Sequence, residues 1–137
     1  MIRLFLLFST LSMVGAQASE IQYVGAVSIN PSQDAKVLAD WYARFGIQTQ
    51  EMNGVYFGSL ETAAGPFYFG IHPRRPDAPA RSSGSVAIVF RVSDYDSYLA
   101  RAARNQLVPQ STEADSTGRF AHFIDPDGNE VTIWGGN

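Results

Sequence analysis

One block of this chain is written twice, and that repeat limits the folds open to it more than any other feature. Placing Asp34 on Asp94 brings Trp41 onto Arg101 and Phe45 onto Asn105 without a gap, and an apolar residue follows in both copies, Ile47 and Leu107. Tyr23 to Ile29 and the β-branched, aromatic run Val86 to Val92 are strand candidates that open the two blocks. In the first, Ala35, Leu38, Tyr42 and Phe45 recur at helical steps and predict one apolar stripe, with Ser32 as N-cap and Gly46 as terminator. In the second, Ser93 is the expected cap, Asp94 and Asp96 lie in the first turn, and Arg101 and Arg104 lie in the last. Those charges suit the two ends of a helix dipole.

Hairpin strands close each block. Val55 to Leu60 and Pro66 to His72 are joined by "ETAAG" (Glu61 to Gly65); Phe120 to Ile124 and Glu130 to Trp134 are joined by "DPDGN" (Asp125 to Asn129). The equal loop lengths support a repeat. Strand, helix and strands, twice over, predict an α+β domain. Its first module covers about residues 21–72, a Pro-, Arg- and Ser-rich linker covers 73–84, and the second module covers about 85–135.

Residues 1–18 read as a signal peptide outside that domain. A short basic start precedes the apolar run Leu4 to Ala16, and Ala16-Gln17-Ala18 offers small residues for cleavage before Ser19. The run is short for a membrane span. The expected mature chain, 19–137, is a single domain in the periplasm or secreted medium, with no membrane partner after cleavage. Without Arg3 it has 9 of the 10 basic residues against 13 acidic ones, a net charge of −4. Mild acidity without a basic cluster argues against nucleic acid as partner. No cysteine is present, so thiolate nucleophiles, Cys-bound metals and disulfide staples are all excluded.

"DWYARFGI", "VAIVFRVSD" and "GRFAHFIDPDGNEVTIW" together resemble the vicinal oxygen chelate superfamily. That superfamily includes glyoxalases, extradiol dioxygenases and the bleomycin and fosfomycin resistance proteins. The resemblance runs from Tyr23 to Trp134. It implies two tandem βαβββ modules whose curved mixed sheets surround a cavity, formed within one chain or across a homodimer. In the superfamily's enzymes, the first and last strands of each module supply the metal ligands. The corresponding positions here are Val27 (or Ala26 or Ser28, if Pro31 marks an extra residue), Tyr68, Ala87 and Thr132. These are poor ligands for zinc, nickel, iron or manganese, which take imidazole or carboxylate. No metal or other cofactor is therefore expected.

Strand parity predicts the cavity face. If Asp125 and Asn129 close the second turn, Phe120, His122, Thr132 and Trp134 share one face, while Ala121, Phe123, Val131 and Ile133 pack under the helices. If Glu61 and Gly65 close the first, Tyr56, Gly58, Tyr68, Gly70 and His72 face the cavity, and Phe57, Phe67, Phe69 and Ile71 face the helices. The two glycines would leave room beside flat rings, and Arg91 falls on the cavity parity of its own strand. The candidate ligand-binding set is thus Tyr56, Tyr68, His72, Arg91, His122, Thr132 and Trp134. His122 is expected to hydrogen-bond Thr132 or to hold a polar ligand. Asp125 and Asn129 read as turn formers.

A metal-free binder of a small, partly aromatic or apolar molecule is the function these residues favour. A lyase, isomerase or dioxygenase-like enzyme is the alternative, with His122 as acid–base group or with a divalent metal relocated to His72 and His122. Glu130 or Glu61 could join such a site, but Glu130 is assigned here to the face opposite Thr132. A protein-interaction module with a vestigial cavity is the third reading. No catalytic residue stands out.

Overall fold

The computed structural model describes residues 25–31, 34–73, 84 and 86–136. The proposed signal peptide and most of the predicted linker lie outside the described residues. In chain order the elements are β1 (Ala26–Ile29), α1 (Ala35–Phe45), β2 (Gln50–Met52), β3 (Val55–Thr62), β4 (Gly65–Ile71), β5 (Ala87–Val92), α2 (Tyr95–Arg104), β6 (Ser111–Asp115), β7 (Gly118–Ile124) and β8 (Glu130–Gly136). They form two four-stranded sheets, β1-β4-β3-β2 and β5-β8-β7-β6. In each, the first strand runs parallel to the last and the remaining pairs are antiparallel. The chain is two βαβββ modules of one topology. β2 and β6 are edge strands exposed along their whole length, so no hydrophobic alternation announced them.

Both helices start later than their serines suggest, by two residues in α1 and by one in α2. Asp34 accepts from the Lys36 amide at 2.9 Å, and Asp94 accepts from the Ser97 amide at 2.9 Å and from its hydroxyl at 2.8 Å. A carboxylate offers two acceptor oxygens to the orphan amides of the first turn, and here it takes the place assigned to Ser32 and Ser93. Gly46 ends α1 at φ 120°, a conformation costly for residues bearing a Cβ.

The core lies between the helices and the sheets, and α1 serves both modules. Tyr42 meets Phe69 of sheet one at 4.5 Å between ring centroids, while Phe45 meets Phe90 and Phe123 of sheet two at 6.0 and 5.4 Å. The C-terminal carbonyls of α1 find partners on α2: Tyr98 Oη donates to Phe45 O at 2.6 Å, and Asn105 Nδ2 to Arg44 O at 2.9 Å. Groups that a helix end leaves unsatisfied thus dock one module on the other.

The two hairpins close differently. In the second, His122 pairs with Thr132, Phe123 with Val131 and Phe120 with Trp134, as parity predicts. In the first, Thr62 pairs with Gly65, so the turn is only Ala63-Ala64 and the ladder runs further than expected. Thr62 Oγ1 stitches it, accepting from the Ala64 amide at 3.2 Å and donating to Gly65 O at 2.6 Å. Asp125 lies at 3 % exposure and gathers the amides of its loop, whereas Glu61 is exposed and gathers none. The register of β3 therefore slips by one residue, which turns every side chain on that strand over.

A candidate ligand-binding face on the second sheet

The register decides which side chains share the open face of each sheet, turned away from the helices. On sheet two these are Ala87, Val89 and Arg91 of β5, Glu130, Thr132 and Trp134 of β8, Phe120 and His122 of β7, and Ser111 and Glu113 of β6. Four of the predicted site residues, Arg91, His122, Thr132 and Trp134, stand together here. Trp134 and Phe120 are cross-strand partners with ring planes 8° apart and centroids separated by 6.1 Å. The Arg91 guanidinium lies 4.8 Å over the Trp134 ring, and Trp134 Nε1 donates to Thr117 O at 3.2 Å. The indole is thus fixed at its polar edge while its body and that of Phe120 form an apolar shelf.

A polar cluster lies beside the shelf. His122 Nδ1 is 3.0 Å from both Thr132 Oγ1 and Glu130 Oε1, and Thr132 Oγ1 is 3.1 Å from Glu130 Oε1. An ionised carboxylate only accepts, so the hydrogen of a neutral imidazole belongs on Nδ1. Nε2 of the neutral ring is an acceptor; Glu113 Oε1, 3.4 Å away, accepts too and pairs with it only when the ring is protonated. Thr132 is buried at 3 % and its hydroxyl donates to Glu130. The predicted His122–Thr132 contact is present. Glu130 corrects the earlier assignment: it lies two residues from Thr132 on one strand and so shares its face.

Sheet one takes the other candidates. Tyr68 is on the open face, 56 % exposed, between Ala26 and Ser59. His72 follows β4 and packs edge-on against Phe57 with 5.2 Å between centroids. Tyr56 is not on this face. The slipped register pairs it with Ile71 and packs it against the core, while Phe57 takes the open side at 43 % exposure. Gly58 also turns inward, and it is needed for a close approach: a Cβ there would meet Gln48 O at 2.3 Å. Gly70 does not hold an empty space either, because His72 Nε2 covers it. The predicted residues therefore fall on two sheets, Tyr68 and His72 with the first and Arg91, His122, Thr132 and Trp134 with the second.

The superfamily's metal positions can now be placed. Val27 turns to the helix side, and Ala26 and Ser28 occupy the open face beside Tyr68 and Gly70. Ala87 stands opposite Glu130, and Thr132 is committed to His122 and Glu130. Alanine has no donor, and the others offer a hydroxyl or a phenol where imidazole and carboxylate are required, so these residues do not fit the metal. Among the described residues no three His, Asp or Glu side chains form a metal-binding group. Glu130 and Glu113 approach opposite nitrogens of His122, so no single ion position is shared by both carboxylates and the ring. His72 extends the first sheet, its amide donating to Ile29 O, whereas His122 lies in β7 of the second.

No family model and no curated protein matches the sequence. Solved structures match the fold. An antibiotic-binding protein, TnmS3 from Streptomyces sp. CB03234, superposes with a TM-score of 0.65 at 21 % identity, covering 87 % of this chain and 99 % of its own. A glyoxalase/dioxygenase from Nostoc punctiforme gives 0.64 at 16 % identity, covering 88 % and 95 %. A glyoxalase/bleomycin resistance protein from Catenulispora acidiphila DSM 44928 gives 0.58 at 20 % identity, covering 82 % and 96 %. With its paired βαβββ modules and these superpositions, the chain has the vicinal oxygen chelate fold.

Proposed function

We propose that this protein is exported and binds a small molecule with a planar, partly aromatic or apolar body, without a resident metal, on the open face of its second sheet. The Phe120–Trp134 shelf under Arg91, beside the His122–Thr132–Glu130 cluster, carries this reading. The rings supply contact area to a flat ligand body, and Nε2 of His122 offers an acceptor to a polar substituent. The antibiotic-binding neighbour of the same fold supports binding as a mode of action for the scaffold.

The test is a titration of purified mature protein with a panel of planar aromatic compounds. The chain has two tryptophans; Trp41 is 6 % exposed and Trp134 is half-buried on the proposed face. Binding is expected to alter Trp134 fluorescence and to raise the melting temperature by mass action. Trp134→Leu should abolish both effects for the same compounds. Stoichiometric metal in the protein as purified, or a panel that shifts neither signal, would overturn the reading. Export is tested separately by mass spectrometry of the N-terminus, where Ser19 is expected.

The Glu130–His122 pair favours one second reading, proton transfer by His122. A carboxylate at Nδ1 orients the ring and leaves Nε2 to take a proton from a bound molecule. Chemical turnover of a bound compound that is lost in His122→Gln while binding persists would establish it.

A further inference from the structure

A groove of about 1190 Å³ lies between the β3–β4 hairpin of module one and the edge strand β5 of module two. Ile47, Leu60, Phe67, Val89, Phe90 and Ile133 give it largely apolar walls. Val89 is 60 % exposed there, although it is a β-branched residue in mid-strand. The volume is somewhat above the roughly 300–1,000 Å³ usual for small-molecule sites, which leaves room for more than a single ring.

Two guanidinium groups line the same groove. Arg101 lies 4.6 Å over the Tyr98 ring and makes one long contact, 3.4 Å, to Phe45 O; Arg91 lies over Trp134. A Cβ on Gly46 would come within 2.7 Å of Arg101 Nη1, and one on Gly136 within 2.6 Å of Arg91 Nη2. Each arginine is therefore held flat between a ring and a glycine backbone. Among the described residues neither forms an ion pair, whereas Lys36 and Arg119 each have a carboxylate. Glu61 also lines the groove but pairs with neither. Stacking uses the face of a guanidinium and leaves its in-plane N–H donors directed outward, in the geometry that takes a carboxylate.

We propose that this groove is a second ligand site, for an amphipathic carboxylate whose apolar chain lies along Leu60, Phe67 and Val89 and whose anionic head meets the free donors of Arg101 and Arg91. It goes beyond the binding face described above and shares with it Val89 and Arg91 of β5. Charge complementarity selects the occupant, because an apolar groove alone would take any greasy molecule and two unpaired cations reject a cationic one.

Decanoate, 1-decanol and decyltrimethylammonium test it, titrated into ¹⁵N-labelled protein. Decanoate should shift the amides of Gly46, Ile47, Ala63 and Val89, with an affinity about tenfold or more above that of 1-decanol, as expected for hydrogen bonds to a charged group. Decyltrimethylammonium should bind more weakly than either. Arg101→Gln should bring decanoate down to the level of the alcohol, and Arg101→Lys should restore part of the difference. Arg91→Gln, at an exposed position, gives the same comparison independently of any folding effect at Arg101. Equal affinity for acid and alcohol, or wild-type decanoate affinity in both Gln variants, would sink the proposal. So would shifts confined to His122, Thr132 and Trp134, or shifts that follow protein concentration and ignore decanoate. None of these outcomes touches the aromatic panel, so the two sites fail separately.

Discussion

Tyr42 and Asp125 are 83 residues apart in sequence and share a buried hydrogen bond, Tyr42 Oη donating to Asp125 Oδ2 at 3.0 Å. Asp125 also accepts from the amides of Asp127 and Asn129 and from Asn129 Nδ2, at 2.9, 2.8 and 2.9 Å. Asn129 Oδ1 passes the network on to the Val86 amide at 3.2 Å. The turn of module two is thus assembled around one carboxylate that also holds the helix of module one.

Removing parts of that network should have graded effects. Tyr42→Phe deletes one donor and is expected to cost about 1–2 kcal/mol, while Asp125→Ala strands several buried donors and should cost about 3 kcal/mol or more. Urea midpoints at neutral pH check the order. Equal, small losses in both variants would show that the turn holds without its carboxylate.

The same tyrosine predicts alkaline sensitivity. Burial first, and the nearby Asp125 carboxylate second, push the Tyr42 phenol far above its ordinary value; burial raises Tyr98 as well. The folded chain keeps protons that the unfolded chain sheds above about pH 10. This contribution is fully present below pH 10 and is lost as pH rises from there toward the folded values. Stability measured from pH 8 to 11 should fall at the alkaline end, and Tyr42→Phe should fall less steeply. Parallel curves for the two proteins would refute the assignment.

Two glycines of sheet one should respond unequally to alanine. At Gly58 the new Cβ meets the backbone oxygen of Gln48 at 2.3 Å, in the segment that leads into β2, and backbone yields less readily than a side-chain end. At Gly70 the nearest atom is Nε2 of His72, the free end of a side chain. Gly58→Ala is therefore expected to cost about 2 kcal/mol or more, and Gly70→Ala less than about 1 kcal/mol. Thermal melts separate the two. Indifference at Gly58 would support the register in which both glycines border open space.

Metal should matter little. With Thr132, Tyr68, Ala87 and Ala26 or Ser28 at the superfamily's ligand positions, dialysis against EDTA is expected to leave the melting temperature unchanged within about 1 °C, and added zinc should not raise it. A chelator-sensitive melt would contradict this.

Local sequence spoke clearly for the modules, the apolar stripe of the first helix, the charged ends of the second, the second hairpin and the apolar underside of the second sheet. Those features depend on periodicity and on one strong turn, and a period survives without knowledge of its neighbours. The first hairpin shows where this ends. "ETAAG" and "DPDGN" are equally long, yet only the second has a carboxylate that becomes buried and collects amides, so equal length did not mean equal register. Tyr56 and Phe57 exchanged faces for that reason alone. The register of β3 is set by its pairing with β4 across the Ala63-Ala64 turn, and Gln48, ten residues before Gly58, lies close enough to leave no room for a Cβ there.

The site divides along the same line. That Arg91, His122, Thr132 and Trp134 share a face followed from alternation along strands whose register a local turn had pinned. That Tyr68 and His72 belong to a different group, that Glu130 completes the His122 cluster, and that Arg101 of α2 reaches a groove beside β5 all depend on how two sheets and two helices pack. Alternation is a property of a single strand and can be counted residue by residue. Convergence depends on the distance between separate elements, and here that distance is set by α1 lodged between two modules through Tyr42 and Phe45.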